Sequence, residues 1–194
     1  MLEVRNTGEE GLVMYDSLTN QSTGQILITA YGDNALVNAV TMINSGEMWI
    51  DTNSTSNAIY NTGVLVNEES AKIFSFGEVF NYFGTIENDG HLYVLGISDR
   101  NNLGINNNGK IINTDTIYIF NTTLGMANDD TLLNTSDGYI SIENQGSSSV
   151  SALGNENYIW NEGEIEINIQ EISSFEAIQN YADGHLLNDG LLSL

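Results

Sequence analysis

The sequence predicts an all-β chain wound as a right-handed parallel β-helix, a β-solenoid of about eight coils with about 24 residues in each. Three observations predict it. A ten-residue frame recurs along the chain, and apolar residues alternate with period two inside each copy. No stretch sustains the 3.6-residue periodicity of a helix. The nearest approach, "QEISSFEAIQ" at residues 170–179, reads equally well as strand.

The frame is clearest around Gly90, where "TIENDGHLYV" (85–94) is matched slot for slot by "HLLNDGLLSL" (185–194). It recurs in "TMINSGEMWI" (41–50), "AIYNTGVLVN" (58–67), "KIINTDTIYI" (110–119) and "YIWNEGEIEI" (158–167). A variant with two extra residues after the Asn appears in "LTNQSTGQILI" (18–28) and "LLNTSDGYISI" (132–142). The glycine slot falls at Gly24, Gly46, Gly63, Gly90, Asp115, Gly138, Gly163 and Gly190. Unequal steps between these slots are what a solenoid gives, because each insertion becomes a loop off one corner. Residues 1–17 read as an irregular first coil or edge, and 18–194 as repeats of a single domain.

Each slot has a physical reason. Residues two and four after the glycine are apolar, as in Ile26 and Ile28, Leu92 and Val94, or Ile165 and Ile167, so one strand face points inward. The residue four before the glycine is apolar as well: Met42, Ile59, Ile86, Ile111, Ile159, Leu186. The chain must turn between these two patches, and Asn followed by Gly supplies tolerance for positive φ. Asp115 fits the glycine slot on the same ground, since Asp visits the left-handed region readily. Asn67 stands where an inward aliphatic is expected and marks a local loop. Coils stacked roughly 4.8 Å apart would align Asn44, Asn61, Asn88, Asn113, Asn161 and Asn188 into a ladder of hydrogen-bonded amides. The competing fold is an antiparallel meander or sandwich in which every "NTG" or "NDG" is a hairpin turn.

Composition limits the partners. The 194 residues carry 26 acids against four bases (Arg5, Lys72, Arg100, Lys110), for a net charge of −22. Such a surface repels phosphate backbones and anionic lipid, which argues against nucleic acid and membrane surfaces. No apolar run reaches the roughly 20 residues of a membrane span, so no membrane insertion is expected. With no cysteine there is no disulfide framework to report the compartment. The opening "MLEVRNTGEEGLVMYD" lacks the pattern of a signal peptide. The last copy stops on inward-type residues, so the chain is expected to be cut from a longer solenoid or to stack on copies of itself.

The recurring pattern apolar-x-Asn-x-Gly-x-apolar-x-apolar resembles the right-handed parallel β-helix repeats of large bacterial surface proteins, of the filamentous-haemagglutinin-like and pectate-lyase-like superfamily. The resemblance covers about residues 18–194. It implies an extracellular or cell-surface place and a structural or adhesive role, though polysaccharide-degrading enzymes share the architecture.

Few residues look chemical in this frame. Asp89 and His91 occupy outward slots that hold unrelated residues in other copies, and His185 does not share the slot of His91. Glu162, Glu164 and Glu166, with Glu156 nearby, read as a solvated acidic face, because exposed carboxylates without a raised pKa make poor general acids. No catalytic residue is expected, and the chain is read as no enzyme. The oxygen-rich runs around Asp115, Asp129, Asp130 and Asp137 would suit calcium better than any other ion, yet no EF-hand loop is present. No other cofactor is expected. Three residues after the glycine, an outward column contains Leu27, Trp49, Val66, Tyr93 and Tyr118. Trp49, Tyr93 and Tyr118 are either ordinary stacking on a β-face or a contact strip for a glycan or a second surface protein. The leading expectation is a structural β-solenoid segment of a long extracellular adhesive or fibrous protein. A carbohydrate-binding or carbohydrate-active module stands second, and a self-assembling filament subunit third.

Overall fold

The computed structural model describes residues 1–6, 10–52, 57–96, 103–120, 122, 124–144, 151–169 and 176–194. Arg100 and most of the 170–179 stretch lie outside them, although Ile178–Asn180 is a strand. Among the described residues the secondary structure is all strand, and every strand pair is parallel. This excludes the antiparallel meander.

One turn shows the plan. Thr116–Phe120 lies on a first face, Leu124–Asn128 on a second and Thr131–Asn134 on a third, after which Tyr139–Asn144 returns to the first face. Tyr139 then stands directly beside Thr116. The first face is a sheet of nine strands from Leu2–Asn6 to Leu191–Ser193. The second and third faces form a second sheet, because Val79–Asn88 and Leu103–Asn113 run unbroken across the corner between them. Eight copies of the motif are thus separated by about seven turns of about 24 residues. The alternation read from sequence has its cause here: each face of the solenoid has core on one side and water on the other. Ile28, Ile50, Ile119 and Ile142 stack inward from the first face and are fully buried. Each such side chain contributes about 1.5–3 kcal/mol of burial.

The asparagines form two ladders. At the corner from the third face to the first run Asn20, Asn44, Asn67, Asn88, Asn113, Asn134, Asn161 and Asn188, each Nδ2 donating to the next Oδ1 at 2.7–2.8 Å. At the corner from the second face to the third run Asn38, Asn61, Asn81, Asn107, Asn128, Asn155 and Asn180, at 2.7–2.9 Å. Every amide also donates to backbone carbonyls, as Asn88 does to Gly90 O (2.8 Å) and Thr116 O (2.9 Å). The side chain therefore completes the hydrogen bonding of a corner that no β-ladder can reach.

Two sequence expectations are corrected here. Asn61 belongs to the second ladder, not the first, so the frame at 58–67 is one face out of register. Asn67, read as a loop marker, is fully a ladder residue, and Ala71 takes the glycine slot of that turn, with His91 N donating to Ala71 O at 2.9 Å. Both corners use Asn-x-Gly, which is why the two could be confused.

A third correction concerns why glycine is there. Among the described residues, positive φ occurs at Ser70, Phe83 and Gly77, and at no glycine or aspartate of the frame. Glycine is favoured instead by close approach, which two of the turns relieve by small shifts to admit Ala71 and Asp115: a Cβ on Gly90 would lie 2.4 Å from Glu68 O, and one on Gly163 would lie 2.1 Å from Gly138 O. Asp115 and Ala71 each bring a Cβ into this slot: the bond from Thr116 N to Gly90 O is 3.2 Å at the first, while that from Lys72 N to Gly46 O stays at 2.9 Å at the second.

Candidate functional site: the outward aromatic column

Register on the first face places Leu27, Trp49, Phe74, Tyr93, Tyr118 and Ser141 side by side on its outward surface. Phe74 holds the slot assigned from sequence to Val66, which lies on the third face beside Ile43. The column is therefore more aromatic than the sequence implied. Trp49 and Phe74 stack with centroids 4.2 Å apart and planes at 19°, and Phe74 and Tyr93 stack at 4.9 Å and 8°. Tyr93 meets Tyr118 edge-on at 6.3 Å. Phe76 and Phe120 extend the pile sideways, at 5.8 Å from Trp49 and 6.1 Å from Tyr118.

This geometry decides what the column offers. Trp49, Phe74 and Tyr93 cover one another's faces in successive coils, whereas Tyr118 turns an edge to Tyr93. A sugar ring docks on an open aromatic face, and Phe74 has a neighbour on both of its own. Stacking between coils occupies the faces of Phe74.

Tyr118 and Tyr139 are tied to the acids beside them. Desolvation, reinforced by the carboxylate of Glu143, pushes the Tyr118 hydroxyl up from 10.0 to about 12. Desolvation and a hydrogen bond to Glu166 raise Tyr139 too. Because the folded value exceeds the unfolded one, the stability linked to Tyr118 is intact below pH 10 and is lost as pH rises through about 12. Absorbance titration at alkaline pH should show a last tyrosinate step near 12 that is missing in Tyr118→Phe.

The remaining sequence candidates are scattered. His91 is on the first face and His185 on the third, so the two histidines share no site. His91 Nδ1 lies 3.7 Å from Asp115 Oδ1, and Asp89 accepts a hydrogen bond from Thr114 Oγ1. Asp115 and Asp137 line a shallow open hollow with Glu68, Glu69 and Asp89 at the third-to-first corner. Asp129 and Asp130 sit at the other asparagine corner, where Asp130 Oδ1 accepts from Thr131. The four calcium candidates are thus split between two corners, and among the described residues no three acids or histidines are grouped to hold a metal ion. Glu166 accepts hydrogen bonds from Tyr139 and Asn168, which hold its carboxyl below the usual range. That is the wrong direction for a general acid.

The second ladder is what sequence reasoning missed. At six of its seven asparagines the signal is a small residue, an apolar one, any residue, then Asn: "ALVN" (35–38), "AIYN" (58–61), "GINN" (104–107), "GMAN" (125–128), "ALGN" (152–155), "AIQN" (177–180); Asn81 follows Glu78 instead. The small residue lets the first and second faces approach; a Cβ on Gly125 would lie 2.3 Å from Ile142 Cγ2. Comparison with protein-family models, with curated proteins and with solved structures finds no match to this chain.

Proposed function

We propose that this chain is a non-enzymatic structural segment of a long extracellular adhesive or fibrous surface protein, a right-handed solenoid that supplies rigid reach. Right-handedness follows the general preference of parallel crossovers. The observation that supports the reading best is how the described polar and aromatic rows are used: both asparagine ladders and the aromatic pile are engaged coil to coil. A rod of this kind gains length by about 4.8 Å per coil without changing its cross-section. The net charge of −22 keeps such rods soluble and apart at low salt.

The test is a turnover screen on neutral and anionic polysaccharides, with reducing ends and unsaturated products measured. No product above background is expected. Turnover that disappears in Glu164→Gln or Asp89→Asn would replace the structural reading with a carbohydrate-active one.

A further inference from the structure

Acids crowd the outward surface of the first face, are absent from the outward column of the second, which runs from Val13 to Gln179, and are scarce on the third. Register gives the third face two outward columns: Thr41, Val64, Thr85, Lys110, Thr131, Tyr158 and His185 in one, and Thr19, Ile43, Val66, Glu87, Ile112, Leu133, Trp160 and Leu187 in the other. Every one of these residues is described. They hold one acid, Glu87, and one base, Lys110, in a chain with 26 acids. The first face, by contrast, points Glu47, Asp51, Glu143, Glu164 and Glu166 outward.

Two further features lie on or beside this face. Compared with Asn61-Thr62-Gly63 and Asn107-Asn108-Gly109, the corner Asn81-Tyr82-Phe83-Gly84 holds one extra residue, and the register slips between Tyr82 and Thr85. The bulge leaves Phe83 with φ 57° and 73% exposed, its ring 4.3 Å from that of Tyr82. A bulky residue in the left-handed region is strained. Nothing within one molecule repays that strain by burying the ring. Two to three coils further on, Leu133 and Trp160 flank a shallow apolar hollow with Asn134, Thr135 and Glu162 around it. Trp160 and Leu187 are 39% and 50% exposed.

We infer that the third face is a docking surface for a second copy of this chain, crossed over it, with Phe83 of each copy set against the Leu133–Trp160 hollow of the other. Two chains of charge −22 can meet without opposing acids only where acids are missing, and this face has almost none. The face carries both a knob and a hollow, which is what an isologous contact needs. Its length is about 34 Å by strand spacing and its width about 10 Å, below the roughly 800 Å² per partner of a standard interface. The dimer is accordingly weak and becomes stronger when salt screens the remaining surface. The inference does not depend on the proposed surface role.

Sedimentation velocity from 10 μM to 1 mM protein, at 20 mM and 500 mM NaCl, tests it. The native chain should shift from monomer to dimer with rising concentration, at lower concentration in high salt. Leu133→Glu and Trp160→Glu should stay monomeric throughout with unchanged circular dichroism, and Trp49→Glu on the first face should dimerise as the native chain does. Phe83→Gly relieves the backbone and should weaken dimerisation at least tenfold without lowering Tm. Three results would overturn the inference: a native monomer at 1 mM in 500 mM NaCl, association that survives Leu133→Glu, or a monomer that binds neutral oligosaccharides through Trp160.

Discussion

Replacing Asn113 by alanine should cost about 4 kcal/mol of stability, although the change is only a few atoms on a corner. Asn113 is fully buried. Its Nδ2 donates to Asn134 Oδ1 (2.8 Å), Asp115 O (2.9 Å) and Tyr139 O (3.3 Å), and its Oδ1 accepts from Asn88 Nδ2 at 2.8 Å. Alanine removes all four contacts and leaves acceptors in a place water does not reach, at about 1–3 kcal/mol for each group left unsatisfied. Some of this is offset, since Asn88 Nδ2 keeps its bonds to Gly90 O and Thr116 O, and Asp115 O keeps its bond from Tyr139 N at 2.7 Å. A cavity adds a further fraction.

Asn113→Asp should be worse at neutral pH, because a carboxylate would face three oxygens that were acceptors of the amide. The sign of its pH dependence is fixed by the same contacts. The folded site raises the carboxyl pKa above its unfolded value, so the stability lost at pH 7 is partly recovered as pH falls and the neutral acid regains one donor. Urea unfolding at pH 7 and pH 4 measures both effects. Asn168→Ala is the control: that amide is exposed and donates to Glu166 Oε1 at 2.8 Å, so about 0.5 kcal/mol or less is expected.

The parallel solenoid was legible in the sequence because stacking forces equivalent positions to resemble each other. Ile117 and Ile119 sit over Leu92 and Val94 in the structure as they do in the aligned frame. The register error at Asn61 and Gly63 has the same origin. A corner is recognised by the residues that satisfy it, and the two asparagine corners pose one problem to the backbone, so they carry one signature. The flanks separate most of them: Ala or Gly stands three positions before the Asn on the second face, as at Ala58, except before Asn81, where Glu78 stands, and neither stands there before an Asn of the other ladder such as Asn67. The aromatic column was legible only in outline, because Phe74 was displaced from it by that misplaced frame. The third face was not legible at all, since a shortage of acids has no motif. It becomes visible only when register sets Ile43, Val66, Ile112, Leu133 and Trp160 among neighbours on one surface.

Gly63→Ala should destabilise the protein by about 2–3 kcal/mol, while Gly154→Ala should stabilise it by about 0.5–1 kcal/mol. Gly63 lies at the corner between the second and third faces and Gly154 in a second-face strand, and neither has a positive φ. A preference for glycine set by φ alone would predict the same sign for the two. Close approach predicts opposite signs. A Cβ on Gly63 would lie 2.0 Å from Val40 O and 2.5 Å from Val40 N, both backbone atoms pinned by the bond from Val64 N to Val40 O at 2.7 Å. Neither can move without opening the ladder between two coils. A Cβ on Gly154 would meet nothing nearer than 3.6 Å, from a carbon of the Tyr181 ring, so the added methyl gains contact and reduces the freedom of the unfolded chain. Thermal unfolding of the two variants beside the native chain gives the comparison, and equal shifts in Tm would show that the spacing between coils adjusts to a methyl group after all.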